Sequence, residues 1–184
     1  MTMPLRARLL PGLSLAAAVA LIALGTHAED SEAQLLALLA RSKHGLPEAL
    51  AAVRTAGGAP ISAKLEFGDG KLWLSVYGAS AGLDKCAEKN ELFELKGDAT
   101  ADEWKPEREV FRDKEHLTRA SAQLTLMQTT QLTLEAAISK GEALKKGIVY
   151  SAIPTLKDGK TAVTLRVRTP RGQTLSIVMD EKAK

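Results

Sequence analysis

Cysteine is almost missing from this chain: Cys86 is the only one in 184 residues. A lone cysteine excludes an internal disulfide, so stability has to come from a hydrophobic core. Histidine is scarce as well, with His27, His44 and His116 the only three. None has a second histidine or a cysteine at ligand spacing such as H-x3–5-H, so no metal site is expected. There is no phosphate-binding P-loop, no G-x-G-x-x-G and no G-x-S-x-G. The carboxylate pairs Glu107/Glu109 and Asp113/Glu115 lie among Lys105, Arg108, Arg112 and Lys114. That is a solvated mixed-charge run, whereas a general acid/base pair needs a pocket that raises one pKa. The expectation is therefore a non-enzyme, with no catalytic residue and no cofactor.

Long apolar runs are confined to the N-terminus. Arg6 and Arg8 precede an uncharged stretch, Leu9 to Leu24, which is followed by Gly25-Thr26-His27-Ala28 and the acidic Glu29-Asp30. This is the order of a secretory signal, and the apolar part is short for a membrane span of roughly 20 residues. Residues 1–28 are expected to be a signal peptide cleaved near Ala28, with a retained N-terminal anchor as the other reading. The product would be periplasmic or secreted and would meet the membrane only through that segment during export. A charge excess is missing too. The chain has 25 Lys and Arg, two of them before Ala28, so 23 remain against 22 Asp and Glu. A net charge of +1 with alternating signs excludes a nucleic-acid footprint.

What the chain does have is an internal echo. Ala33-Gln34-Leu35 recurs as Ala122-Gln123-Leu124, and Ser62-Ala63 with Asp69-Gly70-Lys71 recurs as Ser151-Ala152 with Asp158-Gly159-Lys160. All of these sit at one offset of 89 residues. A shared offset over distant segments reads as a duplicated module. The expected organisation is a first repeat over 29–98, a polar connector over 99–116 anchored by Trp104 and Phe111, and a second repeat over 117–184.

In the first repeat, Leu35, Leu38, Leu39 and Ser42 have helical spacing, and Pro47 opens a second helix that Gly57-Gly58 ends. Ile61, Ala63, Leu65 and Phe67 alternate with polar residues, a Gly68-Asp69-Gly70 turn follows, and Leu72, Leu74 and Val76 alternate again. Phe93 and Leu95 mark a third strand. The second repeat has Leu117, Ala120, Leu124 and Met127 on one helix, and Thr133 as the cap of the next. Its strands are expected at 148–153, ending at Pro154, then around Val163–Val167 and Leu175–Met179. The loop from Gly78 to Asn90 holds about seven residues without a counterpart, Cys86 among them. It reads as a tolerated surface insertion, with a functional loop or intermolecular thiol as the other reading. The fold class is α+β: two tandem helix-helix-three-strand repeats, with helices packed on one face of an antiparallel sheet.

A helix opening like Leu132-Thr133-Leu134-Glu135-Ala136-Ala137, then a strand, an Asp-Gly turn and two more strands ending in an acidic residue, resembles a PepSY domain. Leu132 to Asp180 carries the pattern, and Leu46 to Asp98 carries it more loosely. Tandem units of this kind are similar to the β-lactamase-inhibitor-protein fold. The resemblance implies a non-catalytic exported module, in a family proposed to inhibit or chaperone peptidases, although this chain has no peptidase domain beside it.

Strand alternation puts Trp73, Ser75 and Tyr77 away from the face of Leu72, Leu74 and Val76, and places Arg166 and Arg168 likewise. Trp, Tyr and Arg are enriched at interface hot spots. Trp73, Tyr77, Arg166 and Arg168 are therefore the candidate partner-binding residues, for a protein or peptide on a sheet face that helices leave uncovered; the other reading is that the connector or the other repeat covers Trp73 and Tyr77 and that the arginines are merely solvated. The expected function is an exported binding module that modulates a peptidase or another envelope protein. A metal- or small-ligand-binding periplasmic protein, or a structural envelope protein, is the alternative.

Overall fold

The computed structural model describes residues 32–180; the signal-peptide expectation for 1–28 lies outside them. A first helix, α1 (32–39), buries Leu35 and Leu39. It stops short of Ser42, whose hydroxyl donates to the His44 carbonyl at 2.7 Å and so favours a turn. Helix α2 (Leu46–Thr55) buries Leu46, Ala49, Leu50 and Val53 along one stripe. Pro47 falls in its first turn, where a missing N–H costs nothing. Gly57 ends the helix at φ +80°, and the amides of Gly57 and Gly58 close back on the carbonyls of Arg54 and Val53.

The strands follow as β1 (Ala59–Gly68), β2 (Lys71–Ala79), β3 (Leu92–Asp98) and β4 (Glu107–Val110). Next come α3 (Lys114–Thr129) and α4 (Leu134–Lys145), then β5 (Ile148–Lys157), β6 (Lys160–Arg168) and β7 (Thr174–Met179). Asp113 caps α3 by accepting the His116 amide at 3.0 Å, so that helix starts three residues before Leu117. Thr133 caps α4 through the Ala136 amide. The segment read as a connector supplies β4, which pairs Val110 with Phe93 and Glu107 with Lys96. Trp104 and Phe111 are both buried.

All seven strands form one antiparallel sheet in the order β4-β3-β2-β1-β5-β6-β7. The protein is thus α+β, with four helices packed against that sheet. The order α1-α2-β1-β2-β3 recurs as α3-α4-β5-β6-β7, and the joins share geometry. Asp69 and Asp158 both have φ 52°, with Gly70 at 75° and Gly159 at 72°. Positive φ at both central residues is what a two-residue hairpin turn needs. The β2–β3 loop has twelve residues (80–91) and the β6–β7 loop five (169–173).

Each central strand also carries a bulge. Pro60 pairs with Gly78 and Ser62 with Tyr77, which leaves Ile61 extra. Val149 pairs with Val167 and Ser151 with Arg166, which leaves Tyr150 extra. The two bulges are 89 residues apart. Between them β1 and β5 pair only at Ala63↔Ala152 and Lys64↔Ser151. This short ladder corrects the expectation that Pro154 ends its strand. β5 runs on to Lys157 because β1 no longer needs an N–H at Pro154, while β6 still pairs with it through Val163.

Helix α2 lies over β1 and β2, and α4 over β5 and β6. Leu72, Leu74, Val76, Val163 and Leu165, all fully buried, make the sheet side of this core. The two helices meet through Arg54 and Glu135 at 2.7 Å. Helix α3 lies on the other face, where the Ser62 hydroxyl donates to Gln123 Oε1 at 2.7 Å; this corrects the expectation that helices pack on one face only and leave the outward face uncovered. No described helix is long and apolar enough to cross a membrane.

Candidate functional site

Register, more than sequence proximity, assembles the candidate site. On the face turned away from α2 and α4, one row of directly paired residues crosses every strand. It reads Glu107, Lys96, Ser75, Lys64, Ser151, Arg166, Ser176 from β4 to β7. Three cations therefore stand two strands apart, about 10 Å from one to the next. Serines fill the positions between them. The side chains of α3 wall one side, where Arg119 and Gln123 border a small cavity of about 40 Å³ with Ser62, Lys64, Ser75 and Tyr77. The side chains of α1 wall the other, where Glu32 and Leu35 border a groove of about 400 Å³ with Phe67, Ile153, Tyr150 and Arg166. The channel between the two helices is thus two spaces that share Lys64; Ser75 and Ser151 are buried in its floor, and Lys96 borders neither space.

Charge in the channel is shared. Glu66 pairs with both Lys64 and Lys96, the latter at 3.0 Å. Burial alone would raise the Glu66 carboxyl, but the hydrogen bonds and charges of the two lysines outweigh it and hold the group below its usual value. Burial pulls the Lys96 ammonium down, and Glu66 with Glu94 more than reverses this, so it lies above its ordinary value. Arg166 pairs with Glu32, which raises it, and its guanidinium lies 5.3 Å from the Tyr150 ring centre. Within the row itself three cations stand with one carboxylate, Glu107, while Glu66, Glu32 and Glu94 flank them as counter-charges.

The four residues proposed from the sequence fare differently. Trp73 is half-buried on the face turned away from α2 and α4; its indole N–H donates to the Gly68 carbonyl at 3.0 Å. Lys71 and Lys96 stand over its ring at 5.4 and 5.5 Å. Arg166 stands in the channel floor, and Arg168 two pairs beyond it beside Thr174. Tyr77 needs a correction: it is only 5% exposed. Phe111, which follows β4, packs edge-on against it at 4.7 Å, and His116 stacks on Phe111 in turn. Tyr77 is thus a covered wall residue and not an open anchor. Beneath the same cover the Ser75 hydroxyl donates to the buried Glu94 carboxylate.

Lys64, Lys96, Glu66, Glu32 and Gln123 were not among the partner-binding candidates read from the sequence. Alternation alone put Lys64 and Lys96 outward, but only the cross-strand register, shifted by two bulges, aligns them with Arg166.

The remaining candidates are structural. His44 bridges Glu48 at 2.8 Å and the Ala101 carbonyl at 3.0 Å. Asp113 caps α3, Glu115 pairs with Arg119, and Glu107 and Glu109 lie on the exposed edge strand. Among the described residues no three of His, Cys, Asp and Glu stand close enough to share a metal ion. Cys86 is exposed, in a loop held by Asn90 to Gly82 and by Gln128 of α3 to the Leu83 and Lys85 carbonyls. Comparison with protein-family models, with curated proteins and with solved structures finds no match.

Proposed function

We propose that this chain is an exported, non-catalytic, PepSY-like binding module that holds an extended acidic segment of a partner protein in the channel between α1 and α3. The observation that carries the reading is the row of Lys96, Lys64 and Arg166 at about 10 Å intervals. A polyproline-type strand repeats every three residues with about 3.1 Å of rise each, so acidic side chains at i, i+3 and i+6 fall on one side about 9 Å apart. That period fits the cations, and Trp73 beside Lys96 offers an aromatic face of the sort such segments dock against. A peptidase or another envelope protein is the partner class that the family resemblance implies. The origin of the module by duplication is supported by the common element order and by turns and bulges at one 89-residue offset.

The test uses the mature chain from Glu29, whose start is checked by intact mass of the exported protein. Binding to a synthetic peptide with glutamate at every third position is measured beside a peptide with the same composition and scrambled spacing. The periodic peptide should bind more tightly, lose affinity with added salt, and lose it again with Lys64→Glu or Arg166→Ala at unchanged melting temperature. Equal binding of both peptides, or indifference to both substitutions, overturns the reading.

A further inference from the structure

The two edges of the sheet are unlike. β4 has four residues, follows Pro106, and carries Glu107, Arg108 and Glu109, which are devices that keep a second strand away. β7 has six residues, Thr174-Leu175-Ser176-Ile177-Val178-Met179, with neither proline nor charge. Ser176 is exposed and Val178 is 37% exposed. In the first half of the molecule the outer edge of the third strand is taken by β4. No described residue pairs with the corresponding edge of β7.

We propose that the outer edge of β7 pairs antiparallel with β7 of a second copy of this chain, about a two-fold axis normal to the sheet through Ser176. Such an axis keeps the helix-bearing faces together, so paired residues must belong to the same face. With Ser176 on the axis this holds throughout. Leu175 lies opposite Ile177 of the second copy, and Thr174 opposite Val178. Apolar side chains meet on the α4 side, and no like charges face each other within the strand. This self-complementarity favours a second copy over an unrelated strand. It also has a functional consequence: the row ending in Arg166 and Ser176 would continue into Ser176 and Arg166 of the second copy, lengthening one channel across both.

Sedimentation velocity of the full mature chain over micromolar concentrations tests this. The wild type should pass from monomer to dimer as concentration rises. Ser176→Lys places two ammonium groups face to face on the axis and should weaken dimerisation at least about tenfold, or about 1.4 kcal/mol. An equimolar mixture of Ser176→Lys and Ser176→Glu should restore it, because the pair is then complementary. If Ser176→Lys fails to fold, Val178→Lys, which sets an ammonium opposite Thr174 of the second copy at both ends of the ladder, should weaken dimerisation instead, and its dimerising like the wild type overturns the proposal. A wild type that stays monomeric, a Ser176→Lys variant that dimerises like the wild type, or a mixture no tighter than Ser176→Lys alone overturns the proposal.

Discussion

Burial pushes the phenol of Tyr77 above its ordinary value, with the charge of Glu94 adding to the effect. Burial does the same to Tyr150, against the opposing pull of Arg166 and Thr174. These are the chain's two tyrosines. A group whose folded pKa is raised stabilises the fold below its unfolded value and stops doing so as pH rises through the folded one. An ultraviolet titration of the native protein should therefore show no phenolate forming at the usual value near 10, with both appearing later and together with alkaline unfolding. A tyrosine that ionises at its ordinary value while near-ultraviolet ellipticity stays native would contradict the cover over it. Glu66 works in the opposite sense. Its carboxyl is held low by Lys64 and Lys96, so its contribution is complete above the unfolded value, near 4.3, and fades as pH falls through the folded one. Replacing Glu66 by Gln should flatten the acid limb of the stability profile and leave the alkaline limb alone; an unchanged acid limb would show that the ion pair contributes nothing.

The elements were legible in the sequence to the extent that their signals were local. The Gly57-Gly58 stop, the Thr133 cap and the Asp-Gly hairpins act within a few residues, and each is found where the pattern put it. β4 was not legible, because four residues of mixed charge have no amphipathic period and become a strand only when Phe93 to Lys96 offer an edge. The bulges were hidden as well: Pro60-Ile61 and Val149-Tyr150 look like ordinary strand residues until the partner strand is in place. For the same reason Pro154 looked like an end. Close approach also shows only in three dimensions. A Cβ on Gly147, between α4 and β5, would lie 2.4 Å from the Arg168 carbonyl oxygen, and backbone on both sides cannot yield cheaply. Gly147→Ala should destabilise by about 1–3 kcal/mol, an overpacking cost. Gly159→Ala meets no atom within 4 Å and costs only the strain of its positive φ. Urea unfolding of the two variants separates clash from strain; a Gly147→Ala variant as stable as the wild type would refute the packing at that corner.

At the scale of the whole molecule the two halves are sewn together by elements that cross between them. Helix α3 belongs to the second half by order, yet Gln123 binds Ser62 and Gln128 binds the loop of the first half. Arg54 reaches Glu135 from the other face. Calorimetric unfolding should accordingly give one transition whose van't Hoff and calorimetric enthalpies agree; two resolved transitions would mean that the halves melt apart. The cross-strand row was the least legible feature, since it draws single residues from all seven strands, and no strand contains more than one of them. The paired bulges have a mechanical consequence. Nine residue pairs join β1 to β2 and nine join β5 to β6, but only two join β1 to β5. The sheet thus has a waist in its backbone bonding, and what spans the waist is mostly side chain. If the protein were held by its two edges and pulled, it would tear at Ala63 and Ala152 first. Each half would come away with its hairpin still zipped, and the seam would part at a load that depends on α3 far more than on the strands it joins.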